Sequence, residues 1–397
     1  MQRARRFLVI NLIAQLAFGL LAMTLCLPSM QEWGDIFHTS QSAVQLTFSL
    51  YVLSYGGFQL IYGPMSDRYG RKPILLMGLV ILFVGAGIAA AANSLEMLLW
   101  GRFIQGAGGA AGMVVGRSMV QDFFHGPERT KVMAYVGMSL GCVPPLASIT
   151  GGHIHVQWGW HANFFLLMLL ALLLTLWAWR ALPSAPVAAT HGSSPISLLG
   201  AYCRLLQSRA FIRYLIILAV TTATFYTFLG GAPLVLKAYG VGPDGVGFYI
   251  MTIPLSYFVG NYLTSRYIHR LGERPITQWG QGFTLSGIGI MLCLALMGFH
   301  NPLAFSLPLI LLGLGHGLLV PPTLSGTVGV VPALAGSAAG FAGVVQQITG
   351  GVGGFFVGFL SNDNAIQLGT VMLGFAVCGW LSHMSLRRLQ REQSLQS

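Results

Sequence analysis

The sequence predicts an all-α membrane protein, with twelve transmembrane helices in two pseudo-symmetric six-helix halves. Three observations predict it. The 397-residue chain is 54% apolar and 8% charged, with a mean hydropathy of +0.70, whereas a soluble domain carries about 25% charged residues. Apolar runs near the length that crosses a bilayer, about 20 residues, fill almost the whole chain. Finally, the charged stretch Gly63-Pro-Met-Ser-Asp-Arg-Tyr-Gly-Arg-Lys72 has a weaker copy in the second half. Asp67-Arg-Tyr-Gly-Arg-Lys-Pro73 matches His269-Arg-Leu-Gly-Glu-Arg-Pro275 at Arg, Gly and Pro, again between apolar segments.

The first span, near residues 7–30, follows Arg3, Arg5 and Arg6. A signal peptide would also begin this way, but no A-x-A-like site follows the run, so a retained span is the simpler reading. Spans two to six fall near 42–64, 73–93, 96–121, 131–153 and 161–182. The polar stretch 183–210, with Pro183, Pro186, Gly192, Ser193, Ser194 and Pro195, reads as a cytoplasmic linker. It separates an N-terminal bundle, 1–182, from a C-terminal bundle, 211–397, whose spans fall near 211–236, 245–267, 275–298, 302–327, 334–360 and 364–386. Two echoing groups of six spans are the construction of many secondary transporters.

The basic residues orient this map. With both termini in the cytoplasm, 18 of the 21 Lys and Arg lie in inner segments. Lys237 alone lies outside, and Arg102 and Arg117 fall inside span four. That asymmetry is what the positive-inside rule demands. It accounts for the formal charge of +11 without a nucleic-acid partner, since the bases sit on separate loops. Cys26, Cys142, Cys203, Cys293 and Cys378 form no CxxC pair and read as packing residues. No metal or cofactor is expected. There is no phosphate-binding loop for ATP-driven pumping, and no paired acids or Ser/His/Asp arrangement for an enzyme.

Gly63–Lys72 resembles the signature loop of the major facilitator superfamily, and Arg102-Phe-Ile-Gln-Gly106 resembles its fourth-span motif. Leu27-Pro28, Tyr51, Tyr55, Arg117, Asp122 and Gly336–Gln346 are similar to features of the twelve-span drug:proton antiporters. Within them they point to the bicyclomycin/chloramphenicol-resistance (Bcr/CflA) group. The resemblance implies the major facilitator fold, alternating access and proton-coupled export of lipophilic small molecules. It also implies a monomer in a bacterial inner membrane. An exporter dedicated to one metabolite, such as a siderophore or amino-acid derivative, and a non-transporting receptor are the alternatives.

The motifs have physical roles of their own. Gly63 and Gly70 permit a chain reversal, and Pro73 suits a first helical turn. Asp67 stands with Arg68, Arg71, Lys72 and Asp122 at the cytoplasmic mouth, and Arg117 is read as part of that charge cluster. By resemblance, Asp67 gates access there by meeting the start of span eleven. Arg102, buried near the outer end of span four, needs a partner; Glu32 and Asp35, just after span one, are the candidates. In span five Gly137, Gly141, Gly151 and Gly152 offer close helix approach. Ser148 stands where relatives carry the motif's proline. No carboxylate falls in the middle third of any span, and Thr24 stands where many members of the group carry an acid. The coupling candidates are therefore Arg102, Glu32, Asp35 and His316. The ligand candidates, in an aromatic and nearly uncharged crevice, are Gln15, Thr24, Tyr51, Tyr55, Gln105, Met138, Phe225, Tyr226, Phe228, Gln346 and Gln347.

Overall fold

The computed structural model describes residues 2–124, 126–183, 195–331, 334–360 and 364–396. Sixteen helices follow one another among them. They are α1 (Gln2–Thr24), α2 (Met30–Ile36), α3 (Gln41–Tyr69), α4 (Arg71–Ala90), α5 (Leu95–Phe123), α6 (Gly126–Trp158), α7 (His161–Ala181) and α8 (Pro195–Gln207), then α9 (Arg209–Ala238), α10 (Pro243–Ile250), α11 (Thr252–Leu271), α12 (Glu273–Leu296), α13 (Pro302–Ser306), α14 (Leu309–Gly329), α15 (Ala335–Leu360) and α16 (Ala365–Gln396). Twelve of these are at least 20 residues long and correspond one to one with the twelve expected spans. Among the described residues, seven candidate spans are apolar enough to cross a bilayer by length and composition alone. The other five long helices, α3, α5, α6, α11 and α15, are richer in glycine or polar groups.

The chain forms two compact units. The first comprises residues 1–192 together with 232–248, so the last turns of α9 and most of α10 belong to it. The second comprises 193–231 and 249–397. In the first unit α5, the fourth long helix, packs against α3 and α4. In the second unit α14, again the fourth long helix of its half, packs against α11 and α12. Glycine allows both contacts. A Cβ at Gly85 would lie 2.5 Å from the Gln105 nitrogen across α4 and α5, and one at Gly317 would lie 2.5 Å from the Tyr257 carbonyl across α14 and α11. Backbone approach of this kind is how helices associate where lipid supplies no hydrophobic drive.

The sequence echo is also an echo of geometry. Gly63 and Pro64 lie inside α3, which runs on to Tyr69, so the expected loop is one residue long. Only Gly70 breaks the helix, at φ +96°, and α4 begins at Arg71. Gly272 does the same between α11 and α12, at φ +79°. A side chain at either position would be strained. Pro73 and Pro275 both occupy the third position of the helix that follows, where no helical carbonyl awaits their missing N–H.

Outward faces are apolar. Phe165, Leu169, Leu172, Leu173, Leu176 and Trp179 are all exposed along α7, a surface that suits hydrocarbon. Of the cysteines, Cys26 is buried and the other four are exposed on the protein surface, so packing inside the protein accounts for Cys26 alone. The expected linker 183–210 contains α8, and residues 184–194 lie outside the described set. Tyr202 and Leu205 of α8 dock onto Phe211, Leu215, Ala338 and Ala342 of the second unit, with the Tyr202 and Phe341 rings 5.0 Å apart. This part of the linker is thus core, because its apolar residues recur on one helical face.

Candidate functional site

Arg102 is fully buried in α5, yet no acid among the described residues pairs with it. One guanidinium nitrogen donates to the Ala22 carbonyl at 2.9 Å and to Gln105 Oε1 at 2.9 Å, and the other terminal nitrogen donates to the Met23 carbonyl at 3.3 Å. Its charge lies 4.2 Å from the centroid of the Tyr51 ring, a cation–π contact. Ala22 and Met23 belong to the last turn of α1, whose carbonyls lack helical donors and carry the negative end of the helix dipole. Arg102 therefore caps α1. The expected partners, Glu32 and Asp35, are engaged elsewhere. This corrects the sequence expectation, for a reason of chemistry: backbone carbonyls supply the negative charge that composition alone assigns to acids. Arg102 Nε and Gln105 Nε2 are buried with no partner among the described residues, so two donors remain beside this capped end.

Glu32 on α2 pairs with His155, Oε2 to Nε2 at 2.9 Å. His155 Nδ1 lies 3.0 Å from Ser29 Oγ, and Asn163 Nδ2 donates to that oxygen at 3.1 Å and to the Gly151 carbonyl at 3.0 Å. Asp35 instead pairs with Lys237, whose Nζ is 2.9 Å from Oδ2 and 2.5 Å from the Gln31 carbonyl. The bond from Lys237 and its charge hold the Asp35 carboxyl below the usual carboxylate range. The Gln31 amide, buried, donates to the carbonyls of Pro233 at 2.6 Å and Val241 at 3.2 Å. Gly151 and Gly152 seat this region. A Cβ at Gly151 would strike the Leu25 carbonyl, and one at Gly152 would strike that of Pro243. Gly137 and Gly141, expected to share that duty, have nothing within 4 Å of a built Cβ.

At the other end of the first unit Arg71 gathers the acids. It forms an ion pair with Asp67, meets Asp122 Oδ2 at 3.0 Å through Nε, and donates to Ser66 Oγ at 2.8 Å. Lys72 donates to the Leu182 carbonyl at 2.8 Å. Arg68 is exposed and lies 5.4 Å from the centroid of its neighbour Tyr69. Arg117 departs from the expected cluster. It is exposed on α5, while Asp122 binds Arg71. One and a half turns separate Arg117 from Asp122 on α5, which places them on different faces.

The ligand candidates divide into packed and accessible residues. Tyr51 is buried, its hydroxyl donating to the Gly19 carbonyl at 2.6 Å, and it stacks on buried Tyr55 at 6.1 Å. Thr24 is buried and donates to Leu20 at 2.9 Å within its own helix. Gln15 is buried against Asn11 and the Leu174 carbonyl. Gln105 is bound to Arg102. Met138 is exposed, on a stripe of α6 with Tyr135, Cys142 and Leu146. In the second unit Tyr226 donates to Gln347 Oε1 at 2.9 Å, and Gln346 Nε2 donates to Thr222 at 3.0 Å. These bonds join α9 to α15. Phe225 is half-buried beside Tyr226, whereas Phe228 is fully buried and stacks on Phe305. Phe228 therefore packs in the core of its unit. His316 is buried in α14, its Nε2 without a partner among the described residues.

Sequence reasoning missed His155, Ser29, Asn163, Gln31 and Lys237. A signal for the first existed in the spacing. His155 lies four residues after Gly151, hence on the same helical face as the close-packed glycine.

The sequence profile of the Major Facilitator Superfamily matches residues 7–354. Among characterised relatives, multidrug resistance protein D of Escherichia coli is 28% identical over 94% of both chains. A chloramphenicol resistance protein of Pseudomonas aeruginosa is 26% identical over 90% of this chain and 86% of its own. A crystal structure of a bacterial homologue of the human lysosomal transporter Spinster, inward-facing and occupied, superposes with a TM-score of 0.77 at 16% identity, over 98% of this chain and 97% of that one. That of a D-xylose–proton symporter gives 0.74 at 15% identity, over 94% and 97%. With the match spanning nearly the whole chain, twelve long helices and apolar outer faces, the chain belongs to the Major Facilitator Superfamily and is a multi-pass membrane transporter of small molecules, not an enzyme.

Proposed function

We propose that the protein exports lipophilic small molecules by alternating access, driven by inward proton flow. It works as a monomer in the bacterial inner membrane with both termini in the cytoplasm. The observation that carries this reading is the end-to-end similarity to proteins named for multidrug and chloramphenicol resistance. The geometry is compatible with it. Aromatic, amide and thioether groups, Phe225, Gln346 and Gln347 in the second unit and Met138 in the first, are only partly buried or exposed and carry no charge. Such surfaces accept apolar compounds of varied shape. The Asp67–Arg71–Asp122 cluster holds the α3–α4 junction to α5, a rigid end suited to gating.

Expression in a bacterial strain stripped of its own exporters tests the reading. Raised resistance to phenicols or lipophilic cations, with lowered accumulation that a protonophore restores, supports it. Unchanged susceptibility to every such compound, with the protein present in the membrane, contradicts it.

A further inference from the structure

We propose that Ser29, Glu32, His155 and Asn163 form a proton-binding site at the outer end of the first unit, with His155 taking up the proton. Its use in transport rests on the proton-driven reading above; the site itself does not.

The four residues come from three places in the sequence and converge on one imidazole. His155 and Asn163 are buried, and Ser29 is fully so, while the Glu32 side chain is 47% exposed. The carboxylate is thus the member of the four most open to water. Ser29 occupies the N-cap position of α2, but its hydroxyl makes no capping bond. It is turned to His155 and Asn163 instead, although a serine there usually caps.

The directions of these bonds define two states. Asn163 can only donate through Nδ2, so Ser29 Oγ accepts from it. With His155 neutral, Nε2–H donates to Glu32, and Nδ1 accepts the Ser29 proton. Glu32 thereby fixes the tautomer. When a proton arrives at Nδ1, that nitrogen donates to Ser29 Oγ, and the Ser29 proton must turn. Asn163 Oδ1, buried and without a partner among the described residues, is an acceptor on the same amide. The imidazolium then keeps its ion pair with Glu32 through Nε2. No bond other than N–H is made, and the charge changes by one.

Other ionisable groups sit on the elements packed here. His153, on the same helix, is exposed, its Nδ1 3.0 Å from the Ile149 carbonyl. Asp35 on α2 is bound by Lys237 and is near His38. Asp244 of α10 has its backbone against Gly152. His161 begins α7 and stacks on Trp160, and Arg102 caps α1. Among the described residues Glu32 is the one acid paired with His155. Protonation is felt by the packing nearby, because His155 lies within a turn of Gly151 and Gly152.

Histidine-labelled, full-length protein in detergent is titrated by nuclear magnetic resonance, without substrate or gradient. The resonance lost in His155→Gln (or in His155→Asn, should the first not fold) should move as the sample is acidified over a range of pH. In Glu32→Gln the response should move to lower pH, as loss of an ion-pair partner requires. An invariant resonance over that range, or a response unmoved in Glu32→Gln, overturns the proposal. A site that titrates in a protein that moves no protons removes only its role in transport, so the two failures are distinguishable.

Discussion

The guanidinium of Arg102 reaches across from α5 to the carbonyl of Ala22, 2.9 Å away in the final turn of α1. A buried cation is thus stabilised by the end of a helix, by an amide oxygen of Gln105 and by the face of Tyr51. Removing it takes the donor from the Ala22 carbonyl and from Gln105, and leaves the Met23 carbonyl only the weak Cys26 thiol. Arg102→Met should lower unfolding stability by on the order of 3 kcal/mol and abolish transport. Arg102→Lys should recover only part, since a single ammonium cannot fork to two carbonyls while facing a ring. Thermal melting in detergent checks the first claim; an Arg102→Met protein as stable as the parent would contradict it.

Two glycines of one helix should behave oppositely. Gly141→Ala meets nothing within 4 Å and reduces the freedom of the unfolded chain, so stability should hold or rise by up to about 1 kcal/mol. Gly151→Ala drives a methyl into the Leu25 carbonyl and should lower melting temperature and membrane yield. Equal effects of the two changes would show that the α6–α1 approach is not tight.

Much of this was legible in the sequence, and the boundary has physical causes. Hydropathy located twelve helices because lipid rewards the average property of a segment. The Gly70 and Gly272 junctions were legible because a residue that must adopt positive φ is written as glycine. Arg102 was legible as a buried charge, but its partners were not, since carbonyls of Ala22 and Met23 have no residue signature. His155 reads as a polar residue at a span end, and its network forms only when Ser29, 126 residues away, folds against it. Lys237 and Asp35, 202 residues apart, are joined by tertiary folding alone.

Acid should loosen the Lys237 contact in one direction only. The Asp35 carboxyl is held below its ordinary range, so its contribution is present above the unfolded carboxylate pKa, about 3.9, and is lost as pH falls through the lowered value. Between pH 6 and 8 melting should therefore show no dependence on this pair. Because the pair is exposed, salt should weaken it. Lys237→Ala should cost more than Asp35→Asn, as it also removes the bond to the Gln31 carbonyl. Equal melting shifts for the two variants would refute that ranking.

Arg71 joins Asp67 and Asp122, so Arg71→Ala leaves two acids facing each other without their cation. Transport should drop at least tenfold in Arg71→Ala and less in Asp122→Asn, where Asp67 retains its partner. Membrane levels measured alongside separate this from misfolding. Full transport by Arg71→Ala would remove the cluster from any gating role.

The central claim is proton-driven export, and liposomes test it most directly. Purified protein is reconstituted with an imposed pH gradient and a pH-sensitive dye inside, and phenicols, lipophilic cations and metal chelators are added in turn. The account predicts that at least one compound collapses the gradient in a protein-dependent manner. Movement of a compound across the membrane with the gradient intact would contradict it.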